Sequence, residues 1–205
     1  MNRRGLSLLE MLLAIGITSI IGAAIASMMA AATNSLSAND DGRQSAIRLA
    51  TTQVRLGAYI APSFCILDKG DSFLTLWTED SRESDTVHAS EVRWIQFDSE
   101  TKELIVLFVD FPDDWSQSMI DAVDIECTSM TNYESLLTEL RSDDVVDSIS
   151  LVDAMVSCSF WTNNTEPLDA TRVCIRFSFE TSFGKTTDSI VDETIRIHHQ
   201  PSEQQ

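Results

Sequence analysis

An apolar stretch runs from Leu6 to Ala32, LSLLEMLLAIGITSIIGAAIASMMAAA, and carries one charge, Glu10. As a helix it spans roughly 40 Å, more than the ~30 Å hydrocarbon core of a bilayer needs. From Thr33 to Gly42 the pattern turns polar (TNSLSANDDG), and Gly42 costs a helix interior about 1 kcal/mol against Ala. Bending or melting of the helix is left open there. Arg43 to Ile60 recovers a helical period, with Ile47, Ala50, Val54 and Ala58 near one face, and Pro62 closes it. Beyond Pro62 the texture is that of strands and turns. Ser72–Thr78, Glu91–Asp98 and Leu104–Val109 read as strands, the last apolar throughout as a strand buried on both faces would be, with a turn over Ser99–Glu103. Trp115–Val123 and Tyr133–Leu140 read as short helices, and Ser148–Trp161 as a further strand. Arg172–Phe179 alternates, with Val173, Ile175, Phe177 and Phe179 on one face. Gly184-Lys185 then turns the chain into a closing strand, Ser189–His198, and His199 to Gln205 form a tail. The fold class is α+β, a long N-terminal helix against antiparallel sheet.

The flanks of the apolar stretch set its orientation. Arg3 and Arg4 precede it, and basic residues beside a span stay on the cytoplasmic side, so everything after Ala32 is exported. A carboxylate inside a membrane helix costs on the order of 2 to 3 kcal/mol and usually has a partner, which makes Glu10 a functional candidate. Gly22, Ala26 and Ala30 recur at four-residue spacing, as do Ser19, Ala23, Ser27 and Ala31; rows of small residues let helices approach closely. Ala24-Ile25-Ala26 before Ser27 has the form of a conventional export cleavage site. The apolar region ahead of it is longer than the usual ~7 to 15 residues and contains Glu10.

Charge narrows the partners. The chain has 14 Lys and Arg against 32 Asp and Glu, a net charge of −18. Two of the fourteen basic residues precede Leu6, so 12 against 32 remain beyond it. Such a surface repels phosphate backbones, which argues against nucleic-acid partners and favours partners with basic patches.

The order Arg3-Arg4-Gly5 followed by Leu6-Ser7-Leu8-Leu9-Glu10 resembles the signal of type IV pilins and pseudopilins. The resemblance implies that a membrane aspartyl peptidase, the prepilin peptidase, cuts after Gly5 from the cytoplasmic side and methylates Leu6. Glu10 is then the fifth residue of the mature chain and the assembly carboxylate, neutralising a neighbouring subunit's new N-terminus. The family most often has Phe where Leu6 stands. The resemblance further implies a leader at 1–5, a membrane and assembly helix at 6–32, a helical stalk at 33–61 that packs under a sheet, and a periplasmic α+β domain at 62–205. The protein would sit in the bacterial inner membrane as a single pass with a cytoplasmic N-terminus.

Within the exported part, Val92-Arg93-Trp94 through Leu107 and the spacing of Pro167, Ala170, Val173, Ile175 and Phe177 resemble the J-type minor pseudopilins of type II secretion systems. This implies a non-enzymatic subunit that helps initiate or form the tip region of a pseudopilus, with other pseudopilins as partners. Retention of Glu10 argues against the tip subunit that lacks that carboxylate. The alternatives are a minor type IV pilin of a pilus or DNA-uptake system, and a lone membrane-anchored periplasmic binding domain.

Catalytic motifs are missing: there is no G-x-S-x-G, H-E-x-x-H, G-x-G-x-x-G or P-loop. Of the three histidines, His88, His198 and His199, the last two sit by the tail and read as a solvated strand end, and the doublets Asp40-Asp41, Asp113-Asp114 and Asp143-Asp144 read as caps and loops without EF-hand spacing. No cofactor is expected, although some pseudopilins bind Ca²⁺, which leaves a loop calcium site open. Asn163-Asn164-Thr165 matches a glycosylation sequon. Cys65, Cys127, Cys158 and Cys174 have no metal-binding spacing and allow three disulfide pairings. Cys158 is expected inward with Val156 and Phe160. Cys174 is expected outward with Arg172 and Arg176, which argues against a Cys158–Cys174 bridge.

Overall fold

The computed structural model of the protein describes residues 8–180 and 186–202, and along the N-terminal helix the side chains of 10, 14, 31–42, 44 and 45 lie outside that description. The first element is a helix, α1, over Leu8–Ile60, so the polar stretch 33–42 has helical backbone. The chain divides into two compact units, Met1–Ala46 and Ile47–Gln205.

The second unit is built on three antiparallel sheets. Strands β1 (Cys65–Lys69), β2 (Phe73–Trp77), β4 (Val92–Asp98), β5 (Glu103–Val109) and β7 (Val146–Val152) form one sheet in the order β1-β2-β4-β5-β7. Strands β8 (Met155–Thr162), β9 (Arg172–Glu180) and β10 (Thr186–Thr194) form a second, ordered β10-β9-β8. The short strands β3 (Val87–His88) and β6 (Glu126–Cys127) pair with each other. Helices α2 (Gln117–Val123) and α3 (Tyr133–Ser142) complete the unit. The expected strands, turn and short helices around residues 72–142 are present within one or two residues of their ends. Strands β1, β3 and β6 are additional, and the Gly184-Lys185 turn lies outside the described residues.

The inner strands of the five-stranded sheet pack against a core cluster on each face, which explains the unbroken apolar run in β5. One face carries Ile66, Leu76, Ile95 and Val106 against Leu56 and Ile60 of α1 and against Ile175, Phe177 and Phe179 of β9. The other carries Trp77, Trp94 and Leu107 against Leu136, Leu137 and Leu140 of α3. In β5, Leu104 and Val106 point to the first cluster and Leu107 and Val109 to the second. The N-cap of α3 is Asn132, whose side chain accepts from the Ser135 amide at 2.9 Å.

Three expectations are corrected here. The stretch 148–161 is two strands in different sheets. The break falls at Asp153-Ala154, where Ala154 adopts φ 54°, a left-handed conformation unfavourable for a residue with a Cβ. The Met155 amide donates to the Lys102 carbonyl at 2.9 Å and fixes the corner. Second, the inward face of α1 is not that of Ile47, Ala50, Val54 and Ala58. Val54 is 73% exposed, whereas Thr52, Leu56 and Ile60 are buried. Two apolar stripes compete on this helix, and the larger area of Leu56 and Ile60 decides which one is removed from water. Third, β10 ends at Thr194, and residues 195–202 form a strap. Along it the Arg196, His199 and Ser202 amides donate to the carbonyls of Ala61, Phe64 and Asp85 at 3.0, 2.9 and 2.8 Å.

Candidate assembly site

The candidate residues at the N-terminus fall at the edge of what the structure describes. Gly5 and Leu6 lie outside the described residues. Glu10 lies in the first turn of α1, and its side chain is likewise outside them. Its helical backbone places it next to the apolar segment Met11–Ala30, which is long and apolar enough to cross a membrane and has none of its described residues buried.

That segment is built for a surrounding without water. Its hydroxyls are satisfied locally: Thr18 donates to the Ile15 carbonyl at 3.0 Å, Ser19 to the same carbonyl at 2.8 Å, and Ser27 to Ala24 at 2.8 Å. Such bonds spare the bilayer an unsatisfied polar group. Gly16 and Gly22 leave open space: beyond the helix's own neighbouring backbone, no atom of the described residues lies within 4 Å of where a Cβ would stand. Among the described residues nothing requires a glycine at either position.

The second unit holds a polar site that no motif announced. Glu91 is fully buried, and its carboxylate accepts from the Trp77 indole N–H at 3.2 Å, the Ser81 hydroxyl at 3.0 Å, and the Arg82 and His88 amides at 3.1 Å each. Four donors replace its hydration shell. Nearby in sequence, Arg82 bridges Asp121 at 3.0 Å and Asp124 at 2.7 Å, and Asp124 also accepts from the Ser90 amide and hydroxyl. The Gln117 amide and Arg82 together hold the Asp121 carboxyl below its usual range. The pair of networks ties the long loop after β2 to α2. The only signal in the sequence was charge in a loop, which by itself reads as solvated surface.

The remaining candidates are placed as follows. His88 lies in β3 with its ring 3.5 Å from the Asp124 carbonyl. His198 meets the Leu168 carbonyl at 2.8 Å, and His199 meets the Asp85 carboxylate and packs near Trp77 and Phe64. Both belong to the strap, so His198 does not end the closing strand and His199 is not a loose tail residue. No group of three His, Cys, Asp or Glu that could hold a metal occurs among the described residues. All four cysteines are free. Cys158 is buried and Cys174 half-buried on opposite faces of the sheet, while Val156, expected inward, is 44% exposed because the β8 register shifts between Met155 and Ser157. Burial pushes the thiols of Cys65, Cys127 and Cys158 up to about 12. The Asn163 amide group is engaged with the Thr171 and Arg172 backbone at 3.0 Å.

Residues 1–26 match the prokaryotic N-terminal methylation motif. No curated protein and no solved structure matches the chain. The motif and the apolar helix together fit a membrane-anchored protein that carries this N-terminal signal.

Proposed function

We propose that the chain is a minor pseudopilin, a non-enzymatic subunit that helps initiate or form the tip region of a type II secretion pseudopilus. The match of residues 1–26 to the N-terminal methylation motif carries the reading. In it, prepilin peptidase cuts between Gly5 and Leu6 and methylates Leu6. The helix 6–32 anchors the protein in the inner membrane with its N-terminus cytoplasmic, 33–61 continues as a stalk, and 62–205 is periplasmic. Glu10 neutralises the ammonium created at Leu6 of a neighbouring subunit, relieving two desolvation costs with one contact. The open space at Gly16 and Gly22 supports close approach by another subunit's helix. The J-type assignment, as opposed to a minor pilin of another system, rests on the spacing of Val92, Arg93, Trp94, Pro167, Ala170 and Val173.

The test pairs Glu10→Val with Glu10→Gln in membranes and crosslinks each to candidate pilin subunits at matched expression. Insertion is unchanged or improved in Glu10→Val, since a charge costing about 2 to 3 kcal/mol leaves the helix. Crosslinking falls, most in Glu10→Val, because an unpaired buried ammonium costs about 3 to 5 kcal/mol. Equal crosslinking in all three proteins removes the assembly role. Mass analysis of the mature N-terminus checks the processing, and a chain starting at Ser27 would indicate ordinary secretion.

A further inference from the structure

A cavity of about 590 Å³ opens in the exported unit between β1, the β3–β6 pair, the rim loop 128–132 and the C-terminal strap. Its volume lies in the range of ligand sites. No Lys, Arg or His lines it, while Asp68 and Glu126 do. In a regular strand Asp68 would follow Ile66 toward the first core cluster. The register of β1 against β2 shifts between Ile66 and Asp68, and this bulge turns Asp68 to the side of Leu67, where both line the cavity. The Asp68 carboxylate accepts from the Lys69 amide at 2.7 Å and has no ion pair among the described residues. Tyr133 also lines the cavity. It is only 8% exposed, and its phenolic hydroxyl has no hydrogen-bond partner among the described residues. That hydroxyl is not among the polar atoms sealed from solvent, so it is open to bond a group that enters the cavity.

The walls are preformed. The Thr128 amide donates to the Thr131 hydroxyl at 2.8 Å and the Thr131 amide to the Thr128 carbonyl at 2.9 Å, which locks the rim loop. Across the opening, Ser202 is held to Asp85 through its amide and its hydroxyl. Leu67, Val87 and Leu168 supply apolar wall beside the polar groups, and Met130 stands on the rim at 93% exposure.

We propose that this cavity receives a lysine or arginine side chain presented by a partner protein. Its apolar wall takes the methylene stem, and Asp68 with the Tyr133 hydroxyl takes the cationic head. A bare divalent cation is the poorer occupant, because it asks for six or more oxygen ligands and the described residues gather no set of three ligating side chains. The inference stands on the cavity and does not depend on the assembly role of α1.

The chain contains two tyrosines, Tyr59 and Tyr133, so fluorotyrosine labelling of the full chain in detergent micelles gives two resonances, assigned with Tyr133→Phe. The probes are acetylated pentapeptides with a central arginine, lysine or norleucine, free putrescine, and calcium chloride, each up to about 10 mM. An arginine or lysine peptide shifts Tyr133 saturably and leaves Tyr59 in place, and the norleucine peptide shifts neither. Asp68→Asn weakens binding about tenfold, and raising salt weakens it in the unsubstituted chain, a readout that needs no variant. Four results overturn the proposal: Tyr133 unmoved by both cationic peptides, norleucine binding as well as arginine and lysine, binding indifferent to salt, or putrescine or calcium binding more tightly than either peptide.

Discussion

The guanidinium of Arg82 meets the carboxylate of Asp124 with two nitrogens on one oxygen, Nε at 2.8 Å and a terminal nitrogen at 2.7 Å. The Asp124 side chain is 1% exposed and the Arg82 side chain 30%. A contact of this kind is asymmetric: losing the arginine leaves a buried charge, whereas Ser90 continues to donate. Arg82→Ala is expected to destabilise the second unit by about 1.5 to 3 kcal/mol, the range for a hydrogen bond to a charged group. Urea denaturation of the full chain in micelles measures it. A change below about 0.5 kcal/mol would show that water replaces the guanidinium without loss.

The two faces of α1 make opposite predictions for two substitutions two residues apart. Leu56 is fully buried in the first core cluster, and Leu56→Ala is expected to cost about 2 to 5 kcal/mol. Val54 is 73% exposed, and Val54→Ala should stay within about 0.5 kcal/mol. Comparable losses at both positions would put the helix in a different rotational setting.

Thiol chemistry separates the four cysteines. Cys65, Cys127 and Cys158 are buried, and that burial holds their thiols protonated at pH 8. Cys174 is half-buried on the outer face of β9. Alkylation of the native protein at pH 8 is expected to label Cys174 alone and to label all four after unfolding, read by intact mass.

The strap should respond to acid. The Ser202 hydroxyl, and after it His199, hold the Asp85 carboxyl below its ordinary value of 3.8. A lowered carboxylate favours the folded contact above the unfolded value and loses it as pH falls through the folded one. Release of the strap is therefore expected below pH 3.8, seen as movement of the Ser202 amide resonance. Asp85→Asn abolishes that acid transition, and an unchanged transition in this variant would assign it to another group.

The sequence by itself determined the elements whose signal is local. The Leu6–Ala32 run declares a membrane helix because a bilayer imposes length and apolarity on contiguous residues. The alternation of β9 and the apolar run of β5 state how many faces of each strand are buried. Tertiary structure decided whatever depended on choosing between equivalent local patterns. Periodicity offered two stripes on α1, and the area that Leu56 and Ile60 bury chose between them. Nothing local marks Ala154 as the corner between two sheets, since the residue lacks the freedom of glycine and is held there by the bond from Met155 to Lys102. The Arg82–Asp124 pair joins residues 42 positions apart, and the His199–Asp85 contact joins residues 114 apart. Charges in separate loops look alike as solvated surface until folding brings one against the other and removes the water between them.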